Sequence, residues 1–183
     1  GGRFLEIGLG PRFREKRMRV IYEQGIHYTG LDFQNICDLH SHARQQAGLP
    51  DDQFRFLGNV CGTYLFNLVR LKREGRKYDL IYLDGHHTLY VDFAAAMACR
   101  PLLKSEGLFA FDDVGWTLGQ KEEGLADNAF YKDMYDSSLY TDDEKNEAHI
   151  RIIVEEYFIQ EFSYIEVEAY SSSNWKLLKA PSH

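Results

Sequence analysis

The stretch Tyr78-Asp79-Leu80-Ile81-Tyr82-Leu83-Asp84-Gly85-His86-His87 decides the fold. Its first six residues form a nearly continuous apolar run. Such a run suits a central strand covered on both faces, because a half-exposed strand would alternate. The run ends in an acid, a glycine and two histidines. On either side of it, short apolar runs alternate with helical periodicity, the pattern of parallel strands joined by crossover helices. Upstream, the pattern predicts strands over 4–7, 28–32 and 53–57 and helices over 12–24, 35–47 and 63–74. Pro11 falls in the first turn of the first helix, and Gly25, Gly48 and Gly75 act as stops. Downstream it predicts a helix over 90–103, a strand over 107–111, a long helix over 142–160, and two strands over 162–169 and 175–179 joined by a turn at 170–174. Residues 114–141 fit neither period and read as a partly ordered surface insertion carrying Trp116, Phe130, Tyr131, Tyr135 and Tyr140.

Composition bounds this reading. The chain has 183 residues, and at about 150 residues per domain one domain over 1–183 is expected. A hydrophobic share of 44% with 27% charged residues excludes disordered, collagenous and coiled-coil classes. The formal net charge of −7 argues against a general nucleic-acid binder. No window approaches a membrane span or a signal core. The three cysteines, Cys37, Cys61 and Cys99, form no C-x-x-C pair, so reduced thiols in a cytoplasmic protein are expected rather than disulfides or a structural zinc. The sequence opens at Gly1-Gly2 without Met, directly before a strand pattern, so either residues precede it or Gly1 is an expression remnant.

In an open parallel sheet, ligands bind beyond the carboxyl ends of the strands. Here those ends are polar: Glu6-Ile7-Gly8-Leu9-Gly10, Asp32, Gly58-Asn59, Asp84-Gly85-His86-His87 and Asp112-Asp113. Glycines after the first strand let the backbone approach a ligand closely. Asp32 follows Gly8 by 24 residues, near the spacing at which a carboxylate meets ribose hydroxyls; a solvated strand end or a helix cap shared with Asn35 is the plainer alternative.

Taken together, the 78–87 stretch, Pro101 to Gly107, and Phe111-Asp112-Asp113 resemble a class I S-adenosylmethionine-dependent methyltransferase of the metal-dependent O-methyltransferase branch, methyltransferase domain family twenty-four. The resemblance covers nearly the whole chain. It implies an α/β, Rossmann-like, seven-stranded, mostly parallel sheet with helices on both faces and the last strand antiparallel beside the sixth. It also implies S-adenosylmethionine across the first four strands. Glu6, Gly8 and Gly10 would face the methionine part, Asp32 the ribose, and Asn59 the adenine; Asp84 and His86 would line the cofactor side of the reaction centre. Arg12 stands where many members have a third glycine, and Asn59 where an acid is common.

Metal chemistry is expected from Asp84, Asp112 and Asp113. Magnesium or another hard divalent cation selects carboxylate oxygens, and three carboxylates at one edge otherwise repel. Alternatively, Asp112 and Asp113 point apart and one caps a turn. The resemblance implies that Asp84 and His87, in the D-x-x-H pattern, are the catalytic pair, with His87 as candidate base; a structural role is the alternative for each histidine. The aromatic insertion would be a lid or an oligomer contact. The basic series Arg12, Arg14, Lys16, Arg17 and Arg19 reads as a solvated helix face, with an anionic substrate or partner patch as the alternative. The implied activity is O-methylation of a small-molecule acceptor with vicinal oxygens. Two alternatives stand beside it: a non-catalytic binding or assembly module on the same fold, and a nicotinamide-dependent oxidoreductase.

Overall fold

In the computed structural model, which describes residues 1–60, 64–120 and 137–182, the apolar run after Lys77 is β4 (Tyr78–Leu83), with the bounds the sequence predicts. It lies in the middle of a seven-stranded sheet of order β3-β2-β1-β4-β5-β7-β6. The other strands are β1 (Arg3–Ile7), β2 (His27–Phe33), β3 (Phe54–Asn59), β5 (Leu103–Phe111), β6 (Ile165–Glu166) and β7 (Lys176–Lys179). The pairs β2/β3, β1/β2, β1/β4 and β4/β5 are parallel, whereas β7 runs antiparallel to both β5 and β6.

The crossover helices are α1 (Glu15–Glu23), α2 (Gln34–Gln46), α3 (Leu65–Arg73) and α4 (Ala94–Cys99), the last entered through a π-helical turn over Leu89–Phe93. Met18 and Ile21 of α1 and Ile36 and Cys37 of α2 pack with Tyr28 and Phe54 on one face of the sheet. On the other face Leu68, Leu71, Ala95, Ala96 and Cys99 pack with Leu5, Ile7, Ile81, Leu83, Phe109 and Phe111. Strand order therefore reverses between β1 and β4, the switch point at which a doubly wound sheet opens a crevice. Cys37 and Cys99 are buried free thiols. Among the described residues no helix is long and apolar enough to cross a membrane.

Three expectations are corrected. The first helix starts at Glu15 rather than Arg12, and Pro11 lies in the preceding bend. The segment between is drawn over α2, where the Phe13 ring meets His40 edge-on at 5.5 Å. The long helix over 142–160 is broken: α5 (Asp142–Asn146), begun by a Thr141–Glu144 capping box, ends before Glu147 and Ala148, both extended, and α6 (His149–Ile152) continues into a π-helical segment over Ile153–Glu161. The His149 ring accounts for the break, donating from Nε2 to the Glu144 carbonyl (2.8 Å) and accepting at Nδ1 from the Leu89 amide (3.1 Å). The strand predicted over 162–169 shrinks to Ile165–Glu166 and is followed by a 3-10 turn at Glu168–Tyr170. Of the insertion, Val114 and Leu118 are buried, while Phe130, Tyr131 and Tyr135 lie outside the described residues.

Candidate active site

The loop after β1 is held from within. Gly8 and Gly10 adopt positive φ (85° and 64°), and a Cβ on Gly8 would collide with the Asp84 carbonyl, so only glycine lets β1 and β4 close on each other there. The Gly8 amide donates to the Leu31 carbonyl (2.9 Å), and the Leu9 and Gly10 amides donate to Asp32 Oδ2 (2.7 and 3.0 Å). Asp32 Oδ1 accepts from the Phe33 amide (2.6 Å). Asp32, 6% exposed, is thus neither a solvated strand end nor a cap shared with Asn35; it is the post around which the loop is folded. His40, on α2, adds a bond from Nε2 to the Gly10 carbonyl (2.9 Å), and burial lowers its pKa, which keeps the ring neutral.

Glu6 is also engaged. Its carboxylate, 2% exposed, takes Arg17 Nη2 on both oxygens at 2.7 Å and the Tyr28 hydroxyl at 2.6 Å. At the end of β3, the Asn59 Oδ1 is buried with no hydrogen-bond partner among the described residues. An unpaired buried acceptor of this kind is costly unless a ligand satisfies it.

The ends of β4 and β5 are arranged differently. Asp92 is fully buried beneath the 85–88 turn and accepts the His86 and Thr88 amides (3.1 and 3.2 Å). Burial lifts its pKa to about 6, against the pull of those amides. A Cβ on Gly85 would collide with this carboxylate. His86 Nδ1 lies 3.0 Å from the Thr88 hydroxyl. The turn delivers His87 at φ 64°, and Asp113 follows β5 at φ 51°; both are non-glycine residues in the left-handed region, a strain met at functional sites. His87 Nε2 lies 3.7 Å from Asp84 Oδ1 and 3.5 Å from Asp113 Oδ2, and one ligand atom from each of the three falls within 4.8 Å of the others. The Trp116 ring stands edge-on to His87 at 5.3 Å. Burial, then the charges of Asp112, Asp113 and Glu6, push the Asp84 carboxyl up to about 7.

Of the three carboxylates expected at a metal, the structure brings Asp84 and Asp113 together, with His87 completing the group. Asp112 is turned aside: its Oδ2 accepts the Tyr82 hydroxyl and its Oδ1 the Asp113 amide (2.9 Å). Sequence reasoning missed Asp92, Tyr82, Tyr28 and His40. It also read Arg17 as solvated, whereas Arg17 caps Glu6. A lone acid inside the apolar Leu89-Tyr90-Val91-Asp92-Phe93 run was the one available signal for Asp92.

No protein-family model matches the sequence, and no curated protein matches it. Solved structures do match in shape. An O-methyltransferase from Bacillus cereus in complex with S-adenosylhomocysteine superposes with a TM-score of 0.60 at 14% identity, over 98% of this chain and 74% of that one. The S-adenosylhomocysteine-bound methyltransferase PaMTH1 from Podospora anserina gives 0.62 at 14%, over 99% and 72%. MycE, of the mycinamycin biosynthetic pathway, in complex with Mg and S-adenosylhomocysteine, gives 0.60 at 18%; this chain covers 45% of it, with 98% of its own length matched. Likeness at this level of identity concerns architecture, and by it the chain has the α/β, Rossmann-like fold of the S-adenosylmethionine-dependent O-methyltransferases.

Proposed function

We propose that this protein is an S-adenosylmethionine-dependent O-methyltransferase that uses a divalent cation to methylate a small molecule bearing vicinal oxygens. One observation carries the reading: at the switch point of a methyltransferase-type sheet, two carboxylates and an imidazole from β4 and β5 converge beside the glycine loop of β1.

The residues fit both groups. Asn59 Oδ1 offers an acceptor for the exocyclic amine of adenine, and the open space at Gly10, where an added Cβ would meet nothing within 4 Å, gives room for the methionine chain. Asp32 has spent three acceptor sites on amides, and a carboxylate offers about four, so it shapes the loop while keeping one site for a ribose hydroxyl. Glu6 would neighbour the methionine part and His86 the cofactor side of the reaction centre. Asp84 and Asp113 would hold the cation, with His87 or Asp112 adjoining. When bound, the cation lowers the pKa of a chelated hydroxyl. The acceptor oxygen attacks the sulfonium methyl, forming the O–C bond as the C–S bond breaks and a neutral thioether leaves. His87 Nε2 takes the hydroxyl proton, and Asp84 and Asp113, at 3.7 and 3.5 Å, stabilise the imidazolium.

The oxidoreductase reading is disfavoured by the loop. A pyrophosphate cradle needs free amides and a nearby helix N-terminus. Here the amides of residues 8–10 are all bonded internally, and α1 begins five residues later with Glu15 in its first turn. Detection of a methylated product from a panel of catechol-like and sugar diols tests the activity. Cofactor binding with no turnover of any acceptor would favour the non-catalytic module.

A further inference from the structure

We infer that Asp92 is a positioning residue for the reaction: its buried carboxylate fixes the turn that carries His87 and so aims the imidazole at Asp84 and Asp113. The inference rests on the part given to His87 above and goes beyond it by naming what holds that ring in place.

Asp92 is fully buried, so it acts only through its protein neighbours. It lies in the π-helical turn Leu89–Phe93, directly after the residues it holds. Oδ1 accepts the His86 amide at 3.1 Å and Oδ2 the Thr88 amide at 3.2 Å, and the His87 amide between them bonds to the same carboxylate. The tie runs both ways, since the Asp92 amide donates to the Thr88 carbonyl at 2.8 Å. The next amide, that of Leu89, goes to the buried His149 ring. Two buried side chains thus hold the successive amides of residues 86 to 89, and among these residues is His87, at φ 64°. A residue with a side chain stays in that region only where its surroundings over-determine it. Asp84 and Asp113, at 3.7 and 3.5 Å from Nε2, are too far to impose the ring's place themselves. Gly85 completes the seat, because a Cβ there would collide with Asp92 Oδ1. Accuracy matters at this point: a displacement of about 1 Å in a catalytic group can slow a reaction about a hundredfold.

The test is nuclear Overhauser spectroscopy of the whole chain. Wild type should show a cross-peak between the rings of His87 and Trp116, which stand 5.3 Å apart, assigned by its loss in Trp116→Phe. Two variants unseat the carboxylate by different routes. Asp92→Asn keeps the shape but turns an NH2 group, which cannot accept, toward one of the amides. Gly85→Ala keeps the charge and pushes it off the amides. Each folded variant should lose the cross-peak, and on an accepted diol its kcat should fall about tenfold or more while the acceptor KM changes by less than about threefold. A purely structural role would lower the melting temperature and leave both the cross-peak and kcat in place. The same samples are titrated with S-adenosylhomocysteine. A cross-peak kept in both folded variants, or missing from wild type, overturns the role of Asp92 and leaves the proposed function standing so long as wild type binds that ligand. A wild type that does not bind it overturns both.

Discussion

The two halves of the crevice solve opposite problems. On the β1–β2 side, each carboxylate is matched: Asp32 accepts three amides, and Glu6 is closed by Arg17 and Tyr28. On the β4–β5 side, Asp84 and Asp113 face the His87 imidazole at 3.7 and 3.5 Å, no closer than the outer limit of a hydrogen bond, and His87 and Asp113 sit on backbone in the left-handed region. The first half is closed on itself except for one remaining acceptor site on Asp32 and the unpaired Asn59 Oδ1. The second is held by Asp92 and Tyr82 from below, yet burial and neighbouring acids lift Asp84 to about 7, so near neutral pH it is poised to take up a proton or a cation. The difference separates residues that build the pocket from residues that act in it, although both kinds are acids at strand ends.

Mutating one acid from each side tests this contrast most forcefully. Asp32→Ala strands two loop amides and the Phe33 amide and should cost about 3 kcal/mol in urea unfolding; a loss under about 1 kcal/mol would show that the β1–β2 side is not structurally closed. Asp84→Asn should do the reverse. Because the folded pKa of Asp84 is raised to about 7, the unfolded chain loses this proton first as pH rises. The resulting penalty is absent below about pH 4, grows between about pH 4 and 7, and is complete above about 7. The variant should therefore be more stable than wild type by about 1–3 kcal/mol at about pH 8 and equal to it near pH 4. Equal stability at the alkaline end would remove the charge conflict from the account.

Two smaller effects refine it. Mg2+ or Mn2+ should raise the melting temperature of wild type by a few degrees, more at about pH 8 than at about pH 6, because Asp84 must lose its proton to bind. A rise that is pH-independent would place the ion elsewhere. Within the β5 pair, Asp113→Asn should weaken Mn2+ binding about tenfold or more, while Asp112→Asn, with Tyr82 still beside it, should change it by less than about threefold. Equal effects would return Asp112 to the ligand set.

Much of this architecture is legible in the amino-acid sequence. The β4 bounds come directly from a contiguous apolar run, which buried strands share and few other elements imitate. The crevice acids follow from the rule that ligands sit at strand ends. What escapes depends on contacts across the chain. Tyr82 passes for one more apolar residue until its hydroxyl bond to Asp112 is seen. Arg17 carries the same periodicity as a solvated arginine, and only its neighbour Glu6 makes it structural. The break between α5 and α6 is imposed by the His149 ring reaching the Leu89 amide, which no local pattern records. Strand-end position places Asp32 at the crevice, but its main occupation, with the amides of Leu9 and Gly10, is a long-range pairing.

The most direct measurement is isothermal titration of the folded chain with S-adenosylhomocysteine. A saturable one-to-one heat at sub-millimolar ligand is the expected result. A well-folded protein that gives no binding heat at millimolar ligand would contradict the account at its root.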